Sequence, residues 1–255
     1  MDVPAFLHRI RYHGQLMPAA QPPNIDLLRF LHRAHLFTVP FENLDIHIGR
    51  KIICRENRIL HKIVDEHRGG FCYELNGAFA ALLRELGFRV TLLSARVARD
   101  DGSFGPEFDH LALRVDLEGP WLADVGFGDS FLEPLRLEPG IEQEQGGRLY
   151  RLIATDHEFV AEVKTAGEWK PAYAFTLRPH KLSEFAGMCH YHQTSAESHF
   201  TRQRICTMAT PEGRVTLSDL NWIETRHGTR QESLLSGDQQ WCAKLKELFA
   251  VVLPD

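Results

Sequence analysis

The sequence predicts an α+β fold with an N-terminal helical bundle, a central antiparallel β-barrel and a C-terminal α/β segment. Three observations lead there. Apolar residues recur at helical spacing up to about residue 88, alternate with polar ones at a period of two beyond it, and return to helical spacing from about Asp238. With a second break near residue 185, the expected parts are 1–88, 89–185 and 186–255.

In the first part, Leu27, Leu28, Leu31 and Ala34 share one face of a helix over 24–36, with Asn24 as its N-cap after Pro22-Pro23. Over 72–86, Leu75, Phe79, Leu82, Leu83 and Leu86 recur every three or four residues, and Gly87 stands where a C′ glycine ends a helix. The period then becomes two. Residues 90–97 read as a strand. Over 110–117, Leu111, Leu113, Val115 and Leu117 alternate with His110, Ala112, Arg114 and Asp116, which makes the leucine face the buried one. Residues 121–125 return after Glu118-Gly119-Pro120 as a hairpin. Shorter strands at 148–154, 158–163, 173–177, 214–217 and 221–224 extend the sheet. The last helix puts Trp241, Leu245, Leu248 and Phe249 on one face.

Composition narrows the function. At 44% hydrophobic and 25% charged residues the chain can bury a large core. A net charge of −5 gives no basic field for nucleic acid or acidic membranes. No run approaches the roughly 20 apolar residues of a membrane span, and the N-terminus lacks a signal pattern, so a cytoplasmic location is expected. The five cysteines (Cys54, Cys72, Cys189, Cys206, Cys242) form no C-x-x-C pair, so free thiols are expected, with neither a disulfide framework nor a metal. Cys189-His190-Tyr191-His192 has no common zinc spacing to His199 and Cys206 and reads as a lid loop near a pocket.

In Arg68-Gly69-Gly70-Phe71-Cys72-Tyr73-Glu74, two glycines precede a cysteine that opens an amphipathic helix. The unsatisfied N–H groups and dipole of a helix start favour thiolate over thiol, and glycines allow close backbone approach to a substrate. From position alone, a reactive thiolate and a small packed hydrophobe are equal readings of Cys72. A base and an acid shift the balance. His110 begins a strand and points away from its leucine face, whereas His61 and His67 lie in a polar, solvated stretch. Asp124 sits among apolar residues and glycines in Leu122-Ala123-Asp124-Val125-Gly126-Phe127-Gly128, where a carboxylate requires a partner such as an imidazole N–H, unless it merely caps a turn. In the resulting relay Asp124 orients His110, His110 takes the proton of Cys72, and the sulfur attacks an acyl carbon. A hairpin turning at Glu118-Gly119-Pro120 would set Asp124 opposite Arg114, so a bulge or a shifted register is required.

Val39-Pro40-Phe41-Glu42-Asn43-Leu44, the Arg68–Asn76 stretch, Asp109-His110-Leu111 and Asp124-Val125-Gly126-Phe127-Gly128 together resemble the arylamine N-acetyltransferases. Ser198-His199-Phe200 and 213–217 are looser matches in the right order. The resemblance implies a cysteine-protease-like catalytic core: a helical bundle with Cys72, a β-barrel with His110 and Asp124, and a C-terminal α/β lid. It also implies acetyl-CoA as co-substrate, an acetyl-Cys72 intermediate, and a small arylamine, arylhydrazine or arylhydroxylamine acceptor. By the same resemblance Phe127, Gly126, Gly128 and Phe71 would meet substrate, and Arg9, Glu42 and Arg68 would brace the site. Thr207 and Ser218 are candidates for the CoA diphosphate; no glycine-rich cradle marks that contact.

Rival readings are a cysteine hydrolase or transglutaminase-like enzyme with the same relay, an amide synthase, and a binding protein with a relic site. The oligomeric state is not encoded in any pattern found.

Overall fold

A computed structural model describes residues 1–12 and 22–254. The expected parts 1–88 and 186–255 therefore include residues, 13–21 and Asp255, outside the description.

The helix Cys72–Glu85 is the hub of the N-terminal part, buried continuously from Cys72 to Leu83. Its leucine and phenylalanine stripe accounts for one face, while Gly77, Ala78, Ala80 and Ala81 let neighbours approach the other. Around it pack Val3–Arg9, Ile25–Leu36 and Glu56–Leu60, the last continuing as a π turn over His61–Asp65. Asn24 caps Ile25–Leu36 by accepting the Leu27 N–H at 3.0 Å, as its position predicts. Gly87 ends Cys72–Glu85 with φ 86°, the left-handed region that an L side chain resists.

Eight antiparallel strands form the central sheet in the order Leu135–Arg136, Pro120–Ala123, His110–Asp116, Arg89–Val97, Glu168–Phe175, Phe159–Thr165, Arg148–Ala154, Gln143–Gln145. Its two edges are joined by side chains: Gln143 and Gln145 each donate to and accept from backbone at Arg136 and Glu133 across the seam, at 2.7–3.1 Å. These amides satisfy edge groups that a strand ladder would otherwise use.

Both faces of His110–Asp116 are buried over His110 to Leu113, and beyond that the leucine face alone. Leu111, Leu113 and Val115 pack against the helical core, and Ala112 joins Leu93, Leu122, Tyr173 and Phe175 inside the barrel. His110 thus points into a closed interior at the strand's end. The hairpin also turns one residue earlier than expected. Asp116 pairs with Pro120 and Leu113 with Ala123 around Leu117-Glu118-Gly119, so the register carries Asp124 opposite Ala112, two residues from Arg114. A two-residue shift keeps face parity, and Asp124 lands on the His110 side without a bulge.

A second antiparallel sheet runs Phe41–Glu42, Ile205–Thr210, Gly213–Ser218, Asn221–Arg226, Thr229–Leu234. Its first strand comes from the N-terminal part and pairs Phe41 with Thr207. Trp241, Leu245 and Phe249 of the helix Asp238–Phe249 cover the sheet through Val215 and Leu217. Thr229–Leu234 escapes the period-two pattern because all six residues are exposed on an edge. Among the described residues no helix is long and apolar enough to cross a membrane.

Candidate active site

Cys72 occupies the first helical position of the hub helix, 4% exposed, facing a cavity of about 730 Å³ that His110 also lines. His110 Nε2 lies 2.7 Å from Asp124 Oδ2, with both side chains buried. Nδ1 of His110 has no protein partner among the described residues. Asp124 Oδ1 accepts from Asn76 Nδ2 at 2.8 Å and from the Gly126 N–H at 2.9 Å. Burial alone would raise the Asp124 carboxyl, but His110, Asn76 and the Gly126 amide hold it below the usual carboxylate range. Burial pushes the Cys72 thiol well above its ordinary range, the Leu111 N–H opposing and the Asp124 and Asp109 charges reinforcing. Helix position does not make this sulfur an isolated thiolate; the anion requires a cation at contact.

Two residues that the sequence reading did not select hold the arrangement together. Asn76, four residues after Cys72 and so on the same helix face, donates to the Leu111 carbonyl (2.6 Å) and to Asp124 and accepts the Val125 N–H (2.9 Å). His32 accepts the Asp124 N–H. A polar residue inside the apolar stripe was the available signal for Asn76; nothing local marks His32.

Arg68 donates to Glu42 (2.8 and 3.1 Å) and to Asp45 (2.9 Å), all buried. Lys62, only 3% exposed, adds contacts to Glu74 (2.9 Å) and Asp45 (3.0 Å). Among the buried groups three carboxylates face two cations; the partly exposed Arg50 approaches Asp45 at 3.8 Å but pairs chiefly with Glu66. Burial, with Glu42 and Asp45 adding to it and Lys62 opposing, raises Glu74 to about 7; Lys62, attracted by all three carboxylates, is raised despite its burial. Among the described residues Arg9 joins no ion pair. Its guanidinium donates to the carbonyls of Thr38, Ile63, His67 and Arg68 at 2.8–3.3 Å, tying down the loop before the glycines.

The two glycines before Cys72 serve protein contacts. A Cβ at Gly69 would overlap the Pro40 carbonyl and one at Gly70 the Glu74 side chain. Gly126 likewise abuts Cys72, where a Cβ would fall 2.8 Å from the Cys72 Cα and 2.7 Å from Asn76 Nδ2. Gly126, Phe127 and Gly128 all line the cavity, with the Phe127 and His110 ring centroids 5.2 Å apart and the rings nearly perpendicular. The Phe71 ring does not line it: fully buried, it packs edge-on against Tyr73 and Phe200, and Phe41 faces the cavity from that side. Of the two diphosphate candidates, Thr207 lines the cavity, whereas Ser218 bonds Gln203 outside it. The expected loop at Cys189-His190-Tyr191-His192 is the helix Ala186–Thr194, whose Tyr191 and His192 face the cavity. Among the described residues no three potential metal ligands come together.

A family model described as N-acetyltransferase matches residues 24–255. The arylamine N-acetyltransferase / N-hydroxyarylamine O-acetyltransferase of Salmonella typhimurium is 33% identical over 235 residues, covering 90% of this chain and 83% of that relative. An arylamine N-acetyltransferase of Mycolicibacterium smegmatis is 33% identical, with 100% and 94% covered. The solved structure of the Mycobacterium marinum arylamine N-acetyltransferase in complex with CoA superposes with a TM-score of 0.89 at 31% identity, covering 98% of this chain and 93% of that one.

Proposed function

Since this chain belongs to the arylamine N-acetyltransferase family, we propose that it transfers an acetyl group from acetyl-CoA to a small arylamine, arylhydrazine or arylhydroxylamine through an acetyl-Cys72 thioester. The observation that carries this reading is the 2.7 Å His110–Asp124 contact beside a cysteine in the same cavity.

Asp124 fixes the imidazole with its Nε2–H toward the carboxylate, so Nδ1 is the basic nitrogen. His110 takes the Cys72 proton and becomes the cation that the buried sulfur requires. The thiolate attacks the acetyl carbonyl carbon of acetyl-CoA, and the oxyanion is met by the Cys72 N–H, which has no intrahelical acceptor at the first helical position. Collapse breaks the bond to the CoA sulfur, which leaves with the proton held by His110. One thioester has replaced another, so this half is nearly isoenergetic.

The acceptor nitrogen then attacks the acetyl-Cys72 carbon and gives its proton to His110, and the Cys72 sulfur is expelled and reprotonated. The amide is more stable than the thioester, which draws the sequence forward. Phe127, edge-on to His110, offers its face to the acceptor ring, and Gly128, with φ 91°, keeps the adjoining wall open. Arg99 and Arg202, exposed at the cavity mouth, suit the CoA diphosphate, with Thr207 deeper in the wall. Glu42, Arg68 and Arg9 are bracing residues. The parts 1–88, 89–185 and 186–255 supply nucleophile, base with acid, and lid in turn.

Incubation with acetyl-CoA followed by intact-mass measurement tests the proposal. One added acetyl group is expected on the wild type and none on Cys72→Ser. An unmodified wild-type protein, or acetylation that survives Cys72→Ser, would overturn it.

A further inference from the structure

The cavity wall carries a second run of polar groups that the reaction above does not use. His192, 5% exposed, has Nε2 at 3.1 Å from Asp109 Oδ1 and Nδ1 at 3.1 Å from Ser198 Oγ. Ser198 Oγ also accepts the Phe200 N–H at 3.3 Å, and the buried His192 Nε2 stands beside the Asp109 carboxylate without a hydrogen bond to it or to any other group among the described residues. The carboxylate is held from its backbone. Phe108, immediately before it, has φ 65°, a left-handed conformation that strains a bulky residue. The Tyr73 hydroxyl pins that turn by donating to the Phe108 carbonyl (2.7 Å) and the Asp109 carbonyl (3.2 Å), while the Phe108 ring packs on Phe185 at 5.1 Å. Gly105 leaves room for the carboxylate, since a Cβ there would overlap Asp109 Oδ2.

Three parts of the chain thus converge on one residue: the hub helix through Tyr73 on its backbone, and the helix Ala186–Thr194 through His192 and the glycine turn at 105 beside its side chain. The object they fix is a carboxylate on the inner wall of the cavity, adjacent in sequence to His110 and 15% exposed. The other charged lining residues, Arg99, Glu197 and Arg202, are exposed at the mouth. A strained turn and a buried imidazole are costly ways to close a wall that an apolar side chain would close unaided.

We propose that Asp109 is a specificity-determining residue, which makes the acetyl-enzyme prefer arylamines carrying a cationic or hydrogen-bond-donating ring substituent over those carrying a carboxylate. This rests on the acetyl-transfer reading above. An anionic substituent entering beside Asp109 meets a like charge in a partly desolvated wall, whereas an ammonium or amino group finds an acceptor. The Tyr73-pinned turn and Gly105 place Asp109 beside His192, and its carboxylate has no side-chain donor among the described residues, which leaves it for the acceptor. The same charge reaches the sulfur, where Asp109 opposes ionisation of Cys72.

The test separates the two half-reactions. Acetyl-enzyme is prepared with acetyl-CoA, freed of excess donor, and mixed with 4-(aminomethyl)aniline, aniline or 4-aminobenzoate while its decay is followed by intact mass. Each rate is divided by that of the same amine with a simple thioester in water, which removes intrinsic nucleophilicity. The wild type is expected to favour the cationic over the anionic acceptor by about ten-fold, the scale of one screened like-charge contact. Asp109→Asn is expected to erase that ratio and Asp109→Glu to retain it. A wild type that favours 4-aminobenzoate overturns the proposal even if no variant folds, and so does an Asp109→Asn enzyme with the wild-type ratio. Absence of any acetyl-enzyme overturns the reaction itself, and this proposal with it.

Discussion

The Asp124 N–H donates to His32 Nε2 at 3.1 Å, and the opposite ring nitrogen of His32, Nδ1, donates to the Leu132 carbonyl at 2.8 Å. That pair of bonds demands a neutral imidazole with a defined tautomer, and burial pulls His32 down to about 4 from an ordinary value of 6.5. His32 therefore ties the candidate acid to the helix Ile25–Leu36 only while it is uncharged.

The consequence is acid lability. In the unfolded chain His32 takes a proton below about 6.5, in the folded one only near 4, so its contribution to stability is whole above pH 6.5 and lost between 6.5 and 4. One buried histidine so shifted is worth about 3 kcal/mol over that window, and His35, lowered by burial in the same way, adds with the same sign. Urea unfolding midpoints should fall from pH 7 to 4.5, less steeply in His32→Gln. An identical slope in that variant would remove His32 from the account.

Asn76→Ala takes a partner from three buried groups at once: the Leu111 carbonyl, the Val125 N–H, and Asp124 Oδ1, which keeps only the Gly126 N–H. A loss of about 3 kcal/mol is expected from unpaired buried polar groups. Asn76→Asp should harm both stability and acetylation, because it places a second buried carboxylate against Asp124 and the Leu111 carbonyl. Denaturation curves and the rate of acetyl-enzyme formation distinguish the two effects.

Gly126→Ala forces a methyl against the Cys72 backbone and the Asn76 amide, neither of which can yield without moving the hub helix. Overpacking of this kind is expected to cost about 1–3 kcal/mol, together with a slowed acetylation step. Gly119→Ala, where a Cβ would meet nothing within 4 Å, is the matched control and should behave as wild type. Equal behaviour of the two variants would contradict the close approach.

Arg68→Met leaves Glu42, Asp45 and Glu74 with Lys62 as their one buried cation among the described residues, the partly exposed Arg50 reaching Asp45 only at 3.8 Å. Removing one partner from a buried ionic cluster is expected to destabilise by about 3–5 kcal/mol. Adding Glu42→Gln to that variant should recover part of the loss, since it restores the charge balance. Thermal unfolding of the single and double variants gives the coupling directly, and strictly additive losses would mean that the two side chains do not interact.

Periodicity made much of the fold legible because each element has one dominant environment. The stripe from Leu75 to Leu86 and the alternation from Leu111 to Val115 both record a buried face, and Arg148–Ala154 coincides with its expected bounds. Elements without such a contrast left no trace. Thr229–Leu234 is wholly exposed, and His61–Asp65 is a polar π turn whose Lys62 is nonetheless buried by three distant carboxylates.

By itself the sequence determined which chemical groups are available and where each sits along its own element: Cys72 opening a helix, His110 opening a strand, Asp124 in an apolar turn, with family motifs linking them in order. Tertiary structure alone decided how they meet. Whether Asp124 faced Arg114 or lay diagonal to His110 depended on a two-residue choice of hairpin register, and the partners Asn76 and His32 lie 48 and 92 residues from Asp124. Local pattern encodes the direction in which a side chain points, because period is a property of one element. Contact between elements depends on the packing that closes the chain around them, as does the burial that raises both Cys72 and Glu74.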